Sequence, residues 1–139
     1  MVSYGGAHGL TDEELVGLYA SVGWTAYTKD REALRRGVDN SSCVITARRD
    51  GALIGLARAV SDDATICYLQ DVLVHPGHRR GGIGRTLVSR ILDRYAHVRQ
   101  KVLLTDDEPG QRRFYESLGY RETRDLGEGT LRAFVRFDG

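Results

Sequence analysis

The sequence predicts an α/β protein, of the three-layer α+β kind, in which about four helices flank a mixed and mostly antiparallel sheet. Segments with apolar residues at helical spacing alternate along the chain with segments of strand period. Three strand-like segments follow one another through short turns, which predicts an antiparallel meander, and a fourth follows a helix, which predicts a parallel crossover. Since 139 residues suffice for one core, we expect a single domain over residues 1–139.

The composition excludes several classes of protein. A chain with 41% hydrophobic and 28% charged residues is typical of globular proteins, and a formal net charge of +1 gives no general attraction to nucleic acid or membrane. No apolar run approaches the roughly 20 residues of a membrane helix, and no signal peptide is apparent, so we expect a cytoplasmic protein. Cys43 and Cys67 lie in separate apolar segments, which predicts buried free thiols.

Two helices are predicted in the first forty residues. Thr11 and Glu14 form a capping box, and the apolar side chains behind it predict a helix over about 12–21. A short charged helix should follow over about 30–36 and stop at Gly37. Before the first helix, the chain shows little strand character beyond residues 2–4.

The strand period begins at Cys43. Residues 43–48 and 52–60 predict a hairpin, and a third strand is expected over 65–75. The remaining elements, in chain order, are an amphipathic helix that follows the turn of residues 75–84 and ends near 96 or 97, a strand over 101–105, a helix over 111–118, and a closing hairpin of residues 120–125 and 130–137.

The stretch of residues 69–94 combines a strand, a glycine-rich turn and a helix. This order is typical of a phosphate site, because the first N–H groups of a helix have no intrahelical acceptor and the dipole there favours an anion. Two common phosphate-binding motifs do not match the spacing of the residues in this stretch. Leu87 stands where the third glycine of G-x-G-x-x-G would be, and Arg79 stands where a P-loop would begin.

The spacing that does fit is Arg79-x-x-Gly82-x-Gly84, behind a strand and before a helix. It resembles the acyl-CoA signature [QR]-x-x-G-x-[GA] of the GNAT superfamily of N-acetyltransferases, which have the acyl-CoA N-acyltransferase fold. Residues 114–120, FYESLGY, resemble the family's F-Y-x-x-x-G-[FY] segment, and the element order is similar over nearly the whole chain. One departure is that residues 106–108, DDE, stand where the family often has an Asn.

The resemblance implies that acetyl-CoA is the acyl-donor substrate and that no metal takes part. The fourth strand would bond the pantetheine arm through its backbone, and the turn and the start of the next helix would hold the phosphates. A Cβ at Gly82 or Gly84 would stand where phosphate oxygens approach the backbone. Carried over by position, the donor-binding residues are Val72, Leu73, Val74, Arg79, Arg80, Gly81, Gly82, Ile83, Gly84, Arg85 and Thr86.

Acyl transfer to an amine also needs a base and an acid. Tyr115 matches the family's tyrosine near the thioester sulfur and is expected to protonate the leaving thiolate. The base stays open: Tyr68 and Gln70 occupy the positions that align, Gln70 could hold a relaying water, and Asp71 is the only carboxylate of that strand.

The resemblance places the acceptor under the loop that carries Trp24 and Tyr27, whose rings could contact a cationic amine or simply cover the core. Arg58 is a further candidate contact. We therefore expect an N-acetyltransferase acting on a primary amine by direct attack, with a small-molecule acceptor favoured over a protein lysine or N-terminus. The scarcity of good bases keeps a non-catalytic acyl-CoA sensor open, and exposed strand edges are compatible with a homodimer.

Overall fold

The computed structural model describes residues 1–138 and divides the chain after Leu104 into two compact units. The first unit is a sheet with its helices. Its strands are β1 (Val2–Gly5), β2 (Cys43–Arg49), β3 (Ala52–Ser61), β4 (Ile66–Val74) and β5 (Gln100–Leu103). Its helices are α1 (Asp12–Ser21), α2 (Thr25–Thr28), α3 (Arg31–Asp39) and α4 (Ile83–Arg94), with a 3-10 turn over Pro76–His78.

The sheet has the strand order β1-β2-β3-β4-β5. Neighbours from β1 to β4 are antiparallel, and β5 is parallel to β4, as the meander and the crossover predict. The expected mixed, mostly antiparallel sheet is confirmed. The N-terminal strand is stronger than the sequence indicates, because four residues of β1 pair with β2, from Val2 opposite Arg49 to Gly5 opposite Thr46.

Two irregularities in β4 shape the first unit. The pairing of β3 with β4 shifts between Arg58, opposite Asp71, and Ala59, opposite Leu69, which leaves Gln70 as the extra residue of a β-bulge. The parallel pairing with β5 ends at the same point, where Leu69 lies opposite Leu103. From the bulge onward, β3 is therefore the one strand among residues 1–138 that pairs with β4.

The sheet lies between two helical layers. Gly55 and Leu56 are successive residues of β3 and point to opposite faces. Leu56 belongs to a buried cluster with residues of α1 and α3, such as Leu15 and Leu34. A Cβ at Gly55 would stand 3.2 Å from side-chain atoms of Ile83 and Leu87, so that α4 packs closely on the other face. This confirms the three-layer arrangement.

The helices of the first unit mostly follow their sequence signals. The capping box of α1 forms as predicted, and Arg48 binds the Glu14 carboxylate at 2.6 Å. The hydrogen bond from Arg48, with the Thr11 N–H, lowers the pKa of Glu14 to about 2. The predicted stop of the second helix at Gly37 is wrong, because α3 continues to Asp39. Val38 is buried one turn after Leu34, and this packing outweighs the low helix propensity of glycine.

The second unit begins at Thr105 and contains the helix α5 (Gln111–Ser117) and a 3-10 turn over Thr123–Asp125. The predicted closing hairpin is wrong, since residues 120–138 form no strand. Arg112 on α5 binds the carboxylates of Glu122 and Asp125. These ion pairs hold part of the segment that was expected to be the first strand of the hairpin, and it forms a 3-10 turn instead.

Two structural features are absent from residues 1–138. No helix among them is long and apolar enough to cross a membrane. The same residues contain no group of three or more His, Cys, Asp or Glu side chains able to hold a metal ion.

The close approach of α4 to β3 predicts that Gly55→Val destabilises the protein. The added methyl groups meet Ile83 and Leu87, and overpacking of this kind costs about 1 to 3 kcal/mol. Urea denaturation should show a lower free energy of unfolding. Gly17→Ala, on the exposed face of α1 with no atom within 4 Å of the new Cβ, should instead raise it by up to about 1 kcal/mol. Equal stability of Gly55→Val and the parent would contradict the packing described.

Candidate functional site

The turn after β4 is held by hydrogen bonds of its first residue, His75. The His75 N–H donates to the Ile54 carbonyl at 2.8 Å, and the His75 ring accepts from the Gly77 N–H at 3.0 Å. Arg80 and Gly82 then adopt left-handed backbone angles, with φ of 76° and 73°. No atom lies within 4 Å of a Cβ built on Gly82, so its backbone angle is the reason that this position favours glycine.

The N-terminus of α4 differs from those of the other long helices in the first unit. Thr11 caps α1 and Asp30 caps α3, and both helices carry acidic residues in the first turn. In contrast, α4 has Gly82 at its N-cap position, with no capping side chain and no acidic residue in its first turn. The exposed arginines at 79, 80 and 85 add positive charge beside this helix end. The residues present therefore fit a phosphate group, with N–H donors, a favourable dipole and cationic side chains.

The C-terminal part of β4, just before this turn, offers a backbone edge. Residues 72–74 pair with β3, where Gly55 lies opposite Val74, whereas the pairing with β5 has already ended at Leu69. Among residues 1–138, no strand pairs with this side of residues 72–74. An extended ligand arm could bond here as an additional strand does.

Asp71 lies beneath the surface at the bulge, with only 4% of its area exposed. The hydroxyl of Tyr19 donates to its Oδ2 at 2.8 Å, and that of Tyr27 donates to its Oδ1 at 2.8 Å. The Nε of Arg58 also donates to Oδ2, at 2.6 Å. Both carboxylate oxygens are therefore engaged, and the negative charge is compensated by a buried guanidinium.

Arg58 is held on its other side as well. Its Nη1 donates to the Gly37 carbonyl and to the Ser41 hydroxyl, both at 3.2 Å. The nearest atoms to a Cβ built on Gly37 belong to this guanidinium, at 3.6 to 3.9 Å, which is ordinary van der Waals contact. The pair of Arg58 with Asp71 thus joins β3, β4 and the end of α3.

Tyr27 connects this buried pair to the exposed Gln70. The Nε2 of Gln70 donates to the Tyr27 hydroxyl at 3.0 Å, while that hydroxyl donates inward to Asp71. The ring of Tyr27 packs edge-on against Tyr19, with 5.1 Å between ring centroids, and Trp24 lies 6.1 Å from it. Burial, followed by the charge of Asp71, raises the pKa of Tyr27, so its phenol stays protonated.

Tyr115 lies in the second unit, on α5, with its ring edge-on against Phe114 and Tyr120. Burial, with the nearby charge of Asp106, raises the pKa of Tyr115 to about 12. The phenol therefore keeps its proton at neutral pH, as an acid must.

The remaining candidate side chains are less suited to act as a nucleophile or a base. Cys43 and Cys67 are free, and burial raises the pKa of both thiols, which disfavours the reactive thiolate. Burial and then Asp71 raise the pKa of Tyr68 in the same way. His78 is hydrogen-bonded to Arg49 at 3.1 Å.

Tyr19 is the site residue that sequence reasoning missed. It fits the apolar spacing of α1 and is fully buried, but its hydroxyl bonds a residue 52 positions away. A tyrosine in place of a leucine or phenylalanine on a buried helix face was the available signal, because a buried phenol needs a polar partner.

Comparison with known proteins agrees with this geometry. The family model described as the acetyltransferase (GNAT) family matches residues 10–120. A curated relative from Pyropia yezoensis, an uncharacterized N-acetyltransferase ycf52, is 28% identical over 120 residues, which cover 84% of this chain and 68% of that protein. Across the first curated relatives, the alignment spans 42% to 68% of the relative's own length.

Two solved structures show the same fold at low identity. A GNAT family acetyltransferase from Streptococcus pneumoniae superposes with a TM-score of 0.82 at 24% identity, covering 99% of this chain and 100% of that one. AAC(6')-Iy, in complex with the bisubstrate analog CoA-S-monomethyl-acetylneamine, gives a TM-score of 0.73 at 17% identity, covering 100% and 99% of the two chains. Because the family model spans more than half of the residues, the chain belongs to the acetyltransferase (GNAT) family.

Proposed function

We propose that the chain is an acetyl-CoA-dependent N-acetyltransferase that transfers the acetyl group directly to a primary amine. The observation that carries the proposal is the path of β4. Its pairing with β5 ends at Leu69, and the strand leads into a turn and then into α4, whose N-terminus has no capping side chain. This course offers a backbone edge for an extended arm and an anion site for phosphates along one path. A structural neighbour, AAC(6')-Iy, is described in complex with a CoA analog, which supports the same donor here.

In this proposal, the backbone of residues 72–74 bonds the pantetheine amides, and residues 79–86 hold the phosphates. The N–H groups at the start of α4 supply most of the specificity for an anion, and the arginines of the turn add charge-assisted bonds. A backbone N–H of the same strand segment would also stabilise the oxyanion that develops on the thioester carbonyl.

The reaction forms a C–N bond and breaks the C–S bond of the thioester. The attacking ammonium must first lose a proton, and the leaving thiolate must gain one. We assign the second task to Tyr115, which is supported by a pKa that keeps the phenol protonated. For the first task we assign a water held by Gln70, the exposed bulge residue, which would pass the proton to solvent.

We assign Asp71 and Arg58 positioning roles, although the sequence made Asp71 one of two candidates for the base and Arg58 a candidate acceptor contact. Asp71 is a poor base because both of its oxygens already accept hydrogen bonds and Arg58 compensates its charge. Arg58 has its guanidinium directed at Asp71, Gly37 and Ser41. Together they hold the Tyr27 hydroxyl beside Gln70.

The acceptor would bind beside Trp24 and Tyr27, whose rings can contact a cationic amine. We favour a small-molecule amine over a protein lysine or N-terminus, and a cytoplasmic protein that acts as one domain over residues 1–139. A homodimer is part of the same proposal.

The second candidate function is an acyl-CoA sensor without turnover. One observation favours it, namely that the only carboxylate of β4, Asp71, is engaged with Arg58.

The function is tested by release of the CoA thiol from acetyl-CoA on addition of small amines, amino acids and peptides. We expect release with at least one class of primary amine, and the class that reacts names the acceptor. Tight binding of acetyl-CoA without release for any amine would contradict catalysis and favour the sensor. Absence of binding would contradict the donor site itself.

Gly82→Glu should weaken acetyl-CoA binding by at least about a hundredfold, measured by isothermal titration. The substitution strains a backbone with φ of 73° and sets a carboxylate where the phosphates are expected. Gly9→Glu is the matched control, because Gly9 has φ of 76° with open space around its Cβ and lies outside the site. Similar affinities for the two variants would contradict the assignment of the turn.

Tyr115→Phe should lower kcat by about a hundredfold while the affinity for acetyl-CoA changes by less than about twofold. The phenol that protonates the thiolate is lost, but the ring and its packing are kept. Stopped-flow or steady-state thiol release measures this effect, with Tyr4→Phe in β1 as the control. An unchanged kcat would remove Tyr115 from the mechanism.

A further inference from the structure

The helices α1 and α3 cover one face of the sheet only as far as the middle of β3. Leu56, Arg58 and Val60 are alternate residues of β3, so their side chains point to this same face. Leu56 is fully buried and Arg58 is 8% exposed, whereas Val60 is 49% exposed. The cover that these helices give to the face therefore ends between Arg58 and Val60.

Val60 is the first member of an apolar row that crosses three strands. Tyr68 of β4 lies opposite Val60, and Val102 of β5 lies opposite Tyr68. Residues that lie directly opposite each other in a sheet have their side chains on the same face. Tyr68 and Val102 are half-buried. These three residues, the β3–β5 row, form a strip on which an apolar molecule can lie.

The β3–β5 row leads to the bulge of β4. Gln70 follows Tyr68 by two positions, and its hydrogen bond to Tyr27 places its side chain on the same face. The ring of Trp24 lies 6.1 Å from that of Tyr27. A molecule whose nitrogen lies at Gln70 can therefore place its remaining atoms along the row.

The side chains of the β3–β5 row and those next to it on the strands are uncharged. Burial, and then the charge of Asp71, raise the pKa of Tyr68, so its phenol keeps its proton at neutral pH. The preceding residues on the same face of β4 and β5 are Ile66 and Gln100, which lie opposite each other. The row therefore favours an apolar ligand without selecting for a charge.

The charged side chains nearest to the row along β3 and β4 are already engaged. Asp71 is paired with Arg58 at 2.6 Å. Asp62, two positions after Val60, accepts hydrogen bonds on both carboxylate oxygens from the residues of its own turn, such as Thr65. A second charged group on a ligand that lies on the row would lose water without gaining a partner of opposite charge there.

We propose that the acceptor is a primary amine with an uncharged apolar body, an alkyl or arylalkyl monoamine that lies on the β3–β5 row with its nitrogen at Gln70. The inference rests on the proposed function, since that function sets the attacking nitrogen beside Gln70. The row stabilises the bound amine by removing apolar surface from water. Diamines and amino acids are disfavoured, because each carries a second charge.

The test compares matched amines in the thiol-release assay with acetyl-CoA. Butylamine is paired with diaminobutane, which adds an ammonium, and phenethylamine with the amino acid phenylalanine, which adds a carboxylate. We expect kcat/KM to be at least about tenfold higher for the singly charged amine of each pair. An equal or higher kcat/KM for the doubly charged members would leave acetyl transfer standing and overturn the apolar class.

Val60→Asp tests the place of the amine's body. The new carboxylate on the row should lower the ratio of kcat/KM for butylamine over diaminobutane by at least about tenfold. The matched control, Val60→Asn, has nearly the same shape without the charge, so it should lower both values and keep their ratio within about threefold. Because each ratio is measured within one variant, it does not depend on the folded fraction. An unchanged ratio in Val60→Asp, or an equal fall in Val60→Asn, would overturn the placement on the row.

Binding separates a failure of this inference from a failure of the proposed function. If no amine releases thiol, acetyl transfer is contradicted, and amine binding is then measured by the fluorescence of Trp24, the one tryptophan of the sequence. Butylamine that binds at least about tenfold more tightly than diaminobutane, with this preference lost in Val60→Asp, would still support an apolar amine site. Equal binding of the two amines, or no binding of either, would overturn it.

Discussion

The buried ion pair between Arg58 and Asp71 is the interaction on which the site depends. It bridges β3 and β4 at 2.6 Å, beside the bulge, and its outer bonds reach α3 through Gly37 and α1 through Tyr19. An unpaired charge in this position would cost about 3 to 5 kcal/mol, so either partner alone is far less stable than the pair. The pair therefore couples the positions of α1 and α3 to the path of β4.

The bulge beside this pair has consequences for both parts of the proposed site. Gln70, the extra residue, is turned outward and meets the Tyr27 hydroxyl, which faces the proposed acceptor. Beyond it, β4 no longer pairs with β5, and no strand among residues 1–138 pairs with that side of the backbone as far as Val74. The edge leads directly into the turn and the uncapped end of α4. One distortion of one strand thus separates the side proposed for the amine from the side proposed for the thioester while keeping them adjacent.

Much of the fold, but less of the site, was accessible from the sequence. Periodicity located the meander and α1, because burial on one face dictates residue choice at every second or every third to fourth position. It failed at 130–137, because a strand pattern specifies a face but not a partner. The direction of Asp71 could not be predicted, since a bulge reverses the alternation of faces. The hydrogen bond from Tyr19 spans 52 positions and leaves no local pattern.

The most direct test of the donor site compares the binding of acetyl-CoA with that of S-acetylpantetheine. The two share the thioester and the pantetheine arm, but S-acetylpantetheine lacks the phosphates that the turn and the N-terminus of α4 are proposed to hold. The account predicts that S-acetylpantetheine binds at least about a hundredfold more weakly, because the charge-assisted bonds at the turn are forfeited. Equal affinity for the two compounds would contradict it.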